Sequence, residues 1–182
     1  RPKLSLDSSL LVTSCAAVAV AQAIEKVAPE VECRIKWVND IYINDKKVCG
    51  ILTEAAVDVE QGGLEYAVIG MGVNVQNSSF PEDLANIATS IKMEVHHNVS
   101  RNLLAAEILN CLEEQLDNIG SGEFMKEYVR RSNVIGRRIT ITQGEDMFTA
   151  DCHGIDEKGR LLVRCDNGEE KAISSGTIRF AD

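Results

Sequence analysis

The spacing of apolar positions changes repeatedly along this chain, and each change predicts an element. Over residues 10–27 they follow a helical stripe rich in alanine (Ala16, Ala17, Ala19, Ala21, Ala23), which allows a helix to pack closely against a sheet. Asp7, Ser8 and Ser9 are the candidate N-caps, and Pro29 marks the exit. Strand-like runs follow at 32–38, 41–44 and 48–59, with Asn44 and Asp45 as turn formers closing a hairpin between the last two. Gln61-Gly62-Gly63 predicts another turn. Residues 64–75 stay apolar with no polar face, which predicts a buried central strand. After an irregular stretch over 76–97, Ser100 opens a helix over 101–119 with Leu103, Leu104, Ile108, Leu112 and Leu116 on one face. A short helix over 123–132 comes next.

Beyond Val134 the texture is that of a small barrel. Short strands are predicted at 138–142, 147–155, 161–165, 170–173 and 178–180, with Gly144, Lys158-Gly159 and Asn167-Gly168 at the turns between them. The expected boundary lies near Asn133. Residues 1–133 then form one unit and 134–182 a second, near the lower size for an independent fold. No internal repeat or low-complexity segment interrupts either.

Composition narrows the function classes. A hydrophobic content of 45% in 182 residues is enough for a real core. A net charge of −9 argues against a nucleic-acid backbone as partner, although a local cluster of donors can still hold an anionic small molecule. The six cysteines (Cys15, Cys33, Cys49, Cys111, Cys152, Cys165) form no CxxC pair, and His96, His97 and His153 keep no zinc-finger spacing from them. No metal site or disulfide framework is expected, and the reading is a reduced, cytoplasmic protein. The run at 10–24 is too short and too polar to span a membrane, and lacks signal-peptide features. A helix opens the chain almost at once with no leading strand, which reads as part of something longer.

The candidate chemistry centres on Lys36-Trp37-Val38-Asn39-Asp40, followed by Lys47 and Gly50-Ile51-Leu52. An amide and a carboxylate directly after a buried strand are costly unless they bond to something. Strand alternation puts Lys47 on one face with Cys49 and Ile51, where a lysine either snorkels to solvent or meets an anion. Gly50 and the pair Gly70 and Gly72 interrupt strands. Each marks a bulge or close crossing, or a flat ligand resting on bare backbone with Asn74 beside it.

Taken in order, these pieces resemble one family. Lys36 to Asp40 with Lys47, Gly50-Ile51-Leu52 and Glu54 resembles the central motif of biotin–protein ligases. Ile69-Gly70-Met71-Gly72-Val73-Asn74-Val75 is similar to their second central strand. Phe80-Pro81 with Ala88-Thr89-Ser90 looks like their adenine-side segment, and Ser175-Gly176-Thr177-Ile178-Arg179 like the end of their C-terminal domain. Val38 departs from the pattern, since the family usually has Pro there, which would stiffen the turn. The family's upstream Arg/Gly-rich loop has no counterpart in this chain, so the chain alone is expected to keep part of the pocket and little or no activity.

The resemblance implies an α+β fold: a mixed sheet backed by helices, of the class II aminoacyl-tRNA synthetase-like kind, then a small Src-homology-3-like barrel. It implies a ligase that uses ATP and Mg²⁺ to activate biotin as biotinyl-5′-AMP. Biotin then passes to a lysine on the biotin-carrier domain of a carboxylase, and a homodimer is a further possibility. Lys47, Asp40 and Arg179 would be catalytic; Lys47, Gly50, Leu52, Gly70 and Gly72 would bind biotin; Asn39, Asp40 and Asn74 would bind the adenylate. For Arg179 the competing reading is a solvated terminal arginine, and for Trp37 plain core packing is preferred. The rival functions are a lipoate–protein ligase-like enzyme and a non-catalytic dimerising or scaffold remnant of the same fold.

Overall fold

A computed structural model describes residues 11–58 and 63–181. The expected N-caps Asp7, Ser8 and Ser9, the helix start at Leu10 and the Gln61-Gly62 part of the second turn lie outside the described residues. The first helix, α1, runs Val12–Val27. Every apolar side chain from Val12 to Ile24 is buried, so α1 is a core helix, and its alanines let neighbours close on its backbone. It ends where the Ala28 N–H reaches back to Ile24 O, one residue before Pro29.

Four strands form the first sheet in the order β1 (Arg34–Lys36), β2 (Asp40–Ile43), β3 (Lys46–Asp58) and β4 (Gly63–Val73). Their ladders are antiparallel, and among the described residues parallel pairing enters only as isolated bridges, Ile35 with Ser132 and Lys47 with Ala88. Asn44 and Asp45 make the β2–β3 turn at φ of 48° and 62°, the left-handed values that a two-residue hairpin demands and that Asn and Asp tolerate. One expectation fails. β4 is an edge strand among the described residues, with Tyr66, Val68, Gly70 and Gly72 exposed and Ile69, Met71 and Val73 packed toward the core. Glycine and apolar residues on the outward face erased the polar alternation that normally reveals a half-buried strand.

The irregular stretch contains a five-residue helix, α2 (Ile91–Val95), capped by Ser90 Oγ accepting from the Met93 N–H. Helix α3 (Arg101–Asp117) is capped by Ser100 Oγ, which accepts from the Leu103 N–H, and lies along α1 through Leu104, Ile108 and Cys111. Leu103 is 52% exposed rather than buried, because 3.6 residues per turn swing it off the stripe that Leu104 and Ile108 share. Leu112 and Leu116 are half-buried at its margin. A 3₁₀ turn (Ile119–Ser121) leads to α4 (Glu123–Arg131).

The second sheet is five-stranded in the order β8 (Glu170–Ile173), β7 (Leu161–Cys165), β6 (Asp146–Ile155), β5 (Arg138–Gln143), β9 (Thr177–Phe180). Gly144, Gly159 and Gly168 turn it with φ between 60° and 83°. It meets the first unit at the Trp37 turn. The buried Trp37 indole donates to Gly159 O at 2.9 Å, and the Tyr128 hydroxyl donates to Val38 O at 2.9 Å. Beneath that turn the buried Arg131 forks onto both Glu25 oxygens at 2.6 and 2.7 Å, reaches Glu127 at 2.7 Å, and donates to Cys33 O. No helix among the described residues is long and apolar enough to cross a membrane. The six cysteines are all free thiols, and burial pushes Cys15, Cys33 and Cys49 up to about 12, out of the reactive range.

Candidate functional site

The site grows out of an irregularity in the β2–β3 ladder. Ile41 pairs with Cys49 but Tyr42 pairs with Lys47, so Val48 is one residue too many. A bulge of this kind reorients the side chains on one side of it. Val48 and Cys49 are both buried, and Lys47 is turned to the other face, with Gly50 and Leu52. Uninterrupted alternation had placed Lys47 with Cys49 and Ile51, and the structure corrects that. Its ammonium sits 2.6 Å from Asp40 Oδ1, above Gly50.

A transverse row crosses the sheet here. Lys36 of β1 pairs with Asp40 of β2, Asp40 with Gly50 of β3, and Gly50 with Gly72 of β4. In the next row on the same face Leu52 pairs with Gly70. Gly50, Gly70 and Gly72 make a bare floor, bounded at one end by Lys47 and Asp40 and at the other by the exposed Leu52 and Val68. The chain itself does not need glycine at 70 or 72. A Cβ there would meet only a backbone carbonyl at 3.7 Å, an ordinary contact, and neither residue has a positive φ. At Gly50 a Cβ would come within 3.1 Å of Lys47 Nζ, so that glycine leaves room for the lysine.

The backbone of Lys47 is clamped by a distant segment. Its N–H donates to Ile87 O at 2.8 Å, and its carbonyl accepts from the Thr89 N–H at 2.9 Å. The Ala88-Thr89-Ser90 motif is thereby brought against the lysine. The two asparagines hold this framework together. Asn39 Nδ2 donates to Ile51 O at 2.6 Å, and Asn74 Nδ2 donates to Thr89 O at 3.1 Å. Each side-chain amide thus spends a donor on the backbone of a neighbouring segment.

Arg179 lies apart from the glycine floor, on β9 opposite Thr140, in a groove it shares with Thr142, Met147 and Phe180. Its charge is nevertheless felt at Lys36. Burial holds the Lys36 ammonium below the ordinary lysine range, Lys47 and Arg179 push the same way, and Asp40 offsets part of this. Lys36 lies 5.4 Å from the Phe180 ring centroid and 5.9 Å from that of Tyr42, and Arg137 lies 3.8 Å from Phe180. The sequence marks Lys36 only as the first residue of a motif, and Tyr42, Arg137 and Phe180 carry no functional signal in it. Pairing of Lys36 with Asp40 across a three-residue turn was the available signal. Contact with Phe180, 144 positions away, had none.

Magnesium in nucleotide sites is held by one or two carboxylates together with substrate phosphates. Asp40 is the one carboxylate of this row, and no cluster of three acidic, His or Cys ligands exists among the described residues. An ion here would therefore arrive with the nucleotide, with Asp40 as its protein oxygen.

Comparison with known proteins bears on both units. Residues 2–74 match the biotin/lipoate A/B protein ligase family, and residues 134–180 match the biotin protein ligase C-terminal domain. The chain is 34% identical over 180 residues to the bifunctional ligase/repressor BirA of Bacillus subtilis, covering 96% of this chain and 54% of that protein. It is 28% identical over 179 residues to the biotin–[acetyl-CoA-carboxylase] ligase of Mycobacterium tuberculosis, covering 96% and 61%. It thus spans about half the length of the curated relatives it matches. In fold it resembles the biotin protein ligase from Aquifex aeolicus in complex with biotin and ATP, with a TM-score of 0.82 at 24% identity over 98% of this chain and 76% of that one.

Proposed function

The chain belongs to the biotin protein ligase family, and on that premise we propose that it carries the lysine-bearing half of a biotin-adenylating site together with the barrel that closes it. Biotin would lie on the floor of Gly50, Gly70 and Gly72 against Leu52, with its carboxylate at Lys47. The carboxylate oxygen attacks the α-phosphorus of ATP, the bond to the bridging oxygen breaks, and pyrophosphate leaves. An anionic nucleophile approaching an anionic phosphate needs fixed positive charge, and Lys47 supplies it. Asp40, 2.6 Å away, holds that ammonium in place and keeps a free oxygen for the nucleotide's magnesium. In the second step an acceptor lysine, as the neutral amine, attacks the carboxyl carbon. AMP leaves, and the amine's remaining extra proton goes to solvent. The acceptor is the biotin-carrier domain of a biotin-dependent carboxylase. Asn39 and Asn74 offer their Oδ1 atoms to the adenylate, and Arg179 approaches the phosphates from the barrel. Residues 1–133 and 134–182 act as two units in this reading, in a cytoplasmic enzyme.

One observation carries the proposal: the bulge at Val48 lifts Lys47 out of the apolar face and sets it over a glycine floor whose Gly70 and Gly72 the fold does not otherwise require. The match of residues 134–180 favours biotin over lipoate as substrate. The test is calorimetric titration of the chain with a non-hydrolysable biotinyl-adenylate analogue, with a lipoyl counterpart as competitor. Micromolar or tighter binding that Lys47→Ala weakens at least tenfold, with an unchanged melting temperature, is the expected result. Absence of binding both here and in an enzyme extended to the relatives' full length would leave the fold as a non-catalytic scaffold.

A further inference from the structure

Lys36 is half-buried, and no carboxylate among the described residues lies within ion-pair distance of its ammonium. Its row partner Asp40 is instead committed to Lys47. What surrounds Lys36 is mostly aromatic and cationic: the rings of Phe180 and Tyr42, with Lys47 and Arg179 near enough to repel it, against the attraction of Asp40, whose carboxylate is paired to Lys47. Three cations around one carboxylate, with the Lys36 ammonium desolvated among ring faces, are short of an anion. We propose that Lys36 is a second anion-binding residue of this site, holding the pyrophosphoryl end of the nucleotide, and that the Phe180 ring of the barrel positions it.

The direction follows from the row. The glycine floor extends from Gly50 toward Gly72, away from Lys36. Strands are about 4.8 Å apart, so β1 lies roughly 10 Å from β3 on the opposite side of Lys47. A ligand whose carboxylate meets its activating phosphate at Lys47 leaves the distal phosphates on the Lys36 side. Phe180 belongs to β9 and Lys36 to β1, so the barrel would act on the nucleotide through this contact as well as through any reach of Arg179. Lys36 is then a binding residue for the leaving group, and Phe180 a positioning residue.

The inference rests on the ligase reading, and two ligands separate their fates. Inorganic pyrophosphate at fixed Mg²⁺ probes the distal site; the biotinyl-adenylate analogue, which lacks those phosphates, probes the floor. Calorimetric titration measures both. Lys36→Gln should weaken pyrophosphate binding about tenfold or more, the loss expected for one charge-assisted hydrogen bond, and change analogue affinity less than twofold. Phe180→Leu, which keeps apolar bulk and removes the ring, should weaken pyrophosphate severalfold and spare the analogue. Equal pyrophosphate affinity in wild type and Lys36→Gln overturns the inference, as does equal loss of both ligands, which would mark a structural role. Wild type binding the analogue but not pyrophosphate ends this inference alone. Binding of neither ligand, by this chain and by an enzyme extended to the relatives' full length, ends the ligase reading with it.

Discussion

Gly50 offers a substitution whose effects on folding and on binding should separate. A Cβ added there would stand 3.1 Å from Lys47 Nζ, 3.2 Å from its Cε and 3.5 Å from Asp40 Oδ1. The first two contacts are tight, so the lysine end must give by a few tenths of an ångström. It is the flexible tip of a half-exposed side chain, and such a shift is cheap. Replacing a strand glycine by alanine gains about 0.5–1 kcal/mol from the stiffer chain. Gly50→Ala should therefore fold within about 1 kcal/mol of wild type, a melting shift of roughly 2–4 °C for a chain of this size. Binding is less forgiving. A 1 Å misplacement of a reacting group costs about a hundredfold, so a few tenths displaces Lys47 enough for a three- to tenfold loss, on the order of 1 kcal/mol. Gly72→Ala is the companion. Its Cβ would meet only Gly50 O at 3.7 Å, so the fold is unstrained while a methyl group rises from the floor beneath the ligand. Thermal denaturation and calorimetric titration with the adenylate analogue measure the two effects. A melting temperature lower by 10 °C in either variant would show that the floor is not open space. Wild-type affinity in both would show that no ligand rests on it.

Arg131→Met removes the partner of Glu25 and a donor to Cys33 O, in a side chain that is 5% exposed. Breaking a buried pair costs about 3–5 kcal/mol; since Glu25 can partly rehydrate, about 2–3 kcal/mol is expected, seen as a melting temperature lower by roughly 5–10 °C. Adding Glu25→Gln should recover part of it. The same network sets an acid limit. For Glu127, the hydrogen bond from Arg130 and the nearby charge of Arg131 lower its carboxyl from 4.5 to about 2. Burial raises Glu25, yet the Arg131 fork and the Cys33 N–H outweigh it and leave that carboxyl low as well. Carboxyls depressed by folding stabilise fully above their unfolded value, so stability should fall between pH 4.5 and about 2, and urea midpoints across that range should fall less steeply in Arg131→Met. Tyr128→Phe, losing the 2.9 Å bond to Val38 O, should cost about 1 kcal/mol in urea unfolding and spare the sheet.

Much of the fold was legible because its signals are local. The Asn44-Asp45 turn, the Ser100 cap and the Asn167-Gly168 hairpin all depend on residues within a few positions, and each element formed within a few residues of its expected bounds. β4 reads as buried because of the composition of its outward face. Its outward residues are glycine, valine and tyrosine where a solvent-facing strand would carry polar side chains, so an exposed face has the pattern of core.

The candidate residues were legible as a group and not in their arrangement. Lys47, Asp40 and the three glycines do share one face, but alternation put Lys47 on the wrong one. A bulge adds a residue without changing composition, and nothing in Lys47-Val48-Cys49 marks Val48 as the extra member. Only the register against Ile41 and Tyr42 shows it. The consequence is chemical. Without the bulge, Lys47 would enter the apolar face with Cys49 and Ile51, where a charged ammonium would lack both solvent and Asp40. With it, Lys47 and Asp40 lie on the row that Lys36 opens and Gly72 ends. Two cations flanking one carboxylate beside a bare apolar floor is the arrangement that the proposed ligand would need, with its acidic end, its uncharged body and the polyanion to which it is joined.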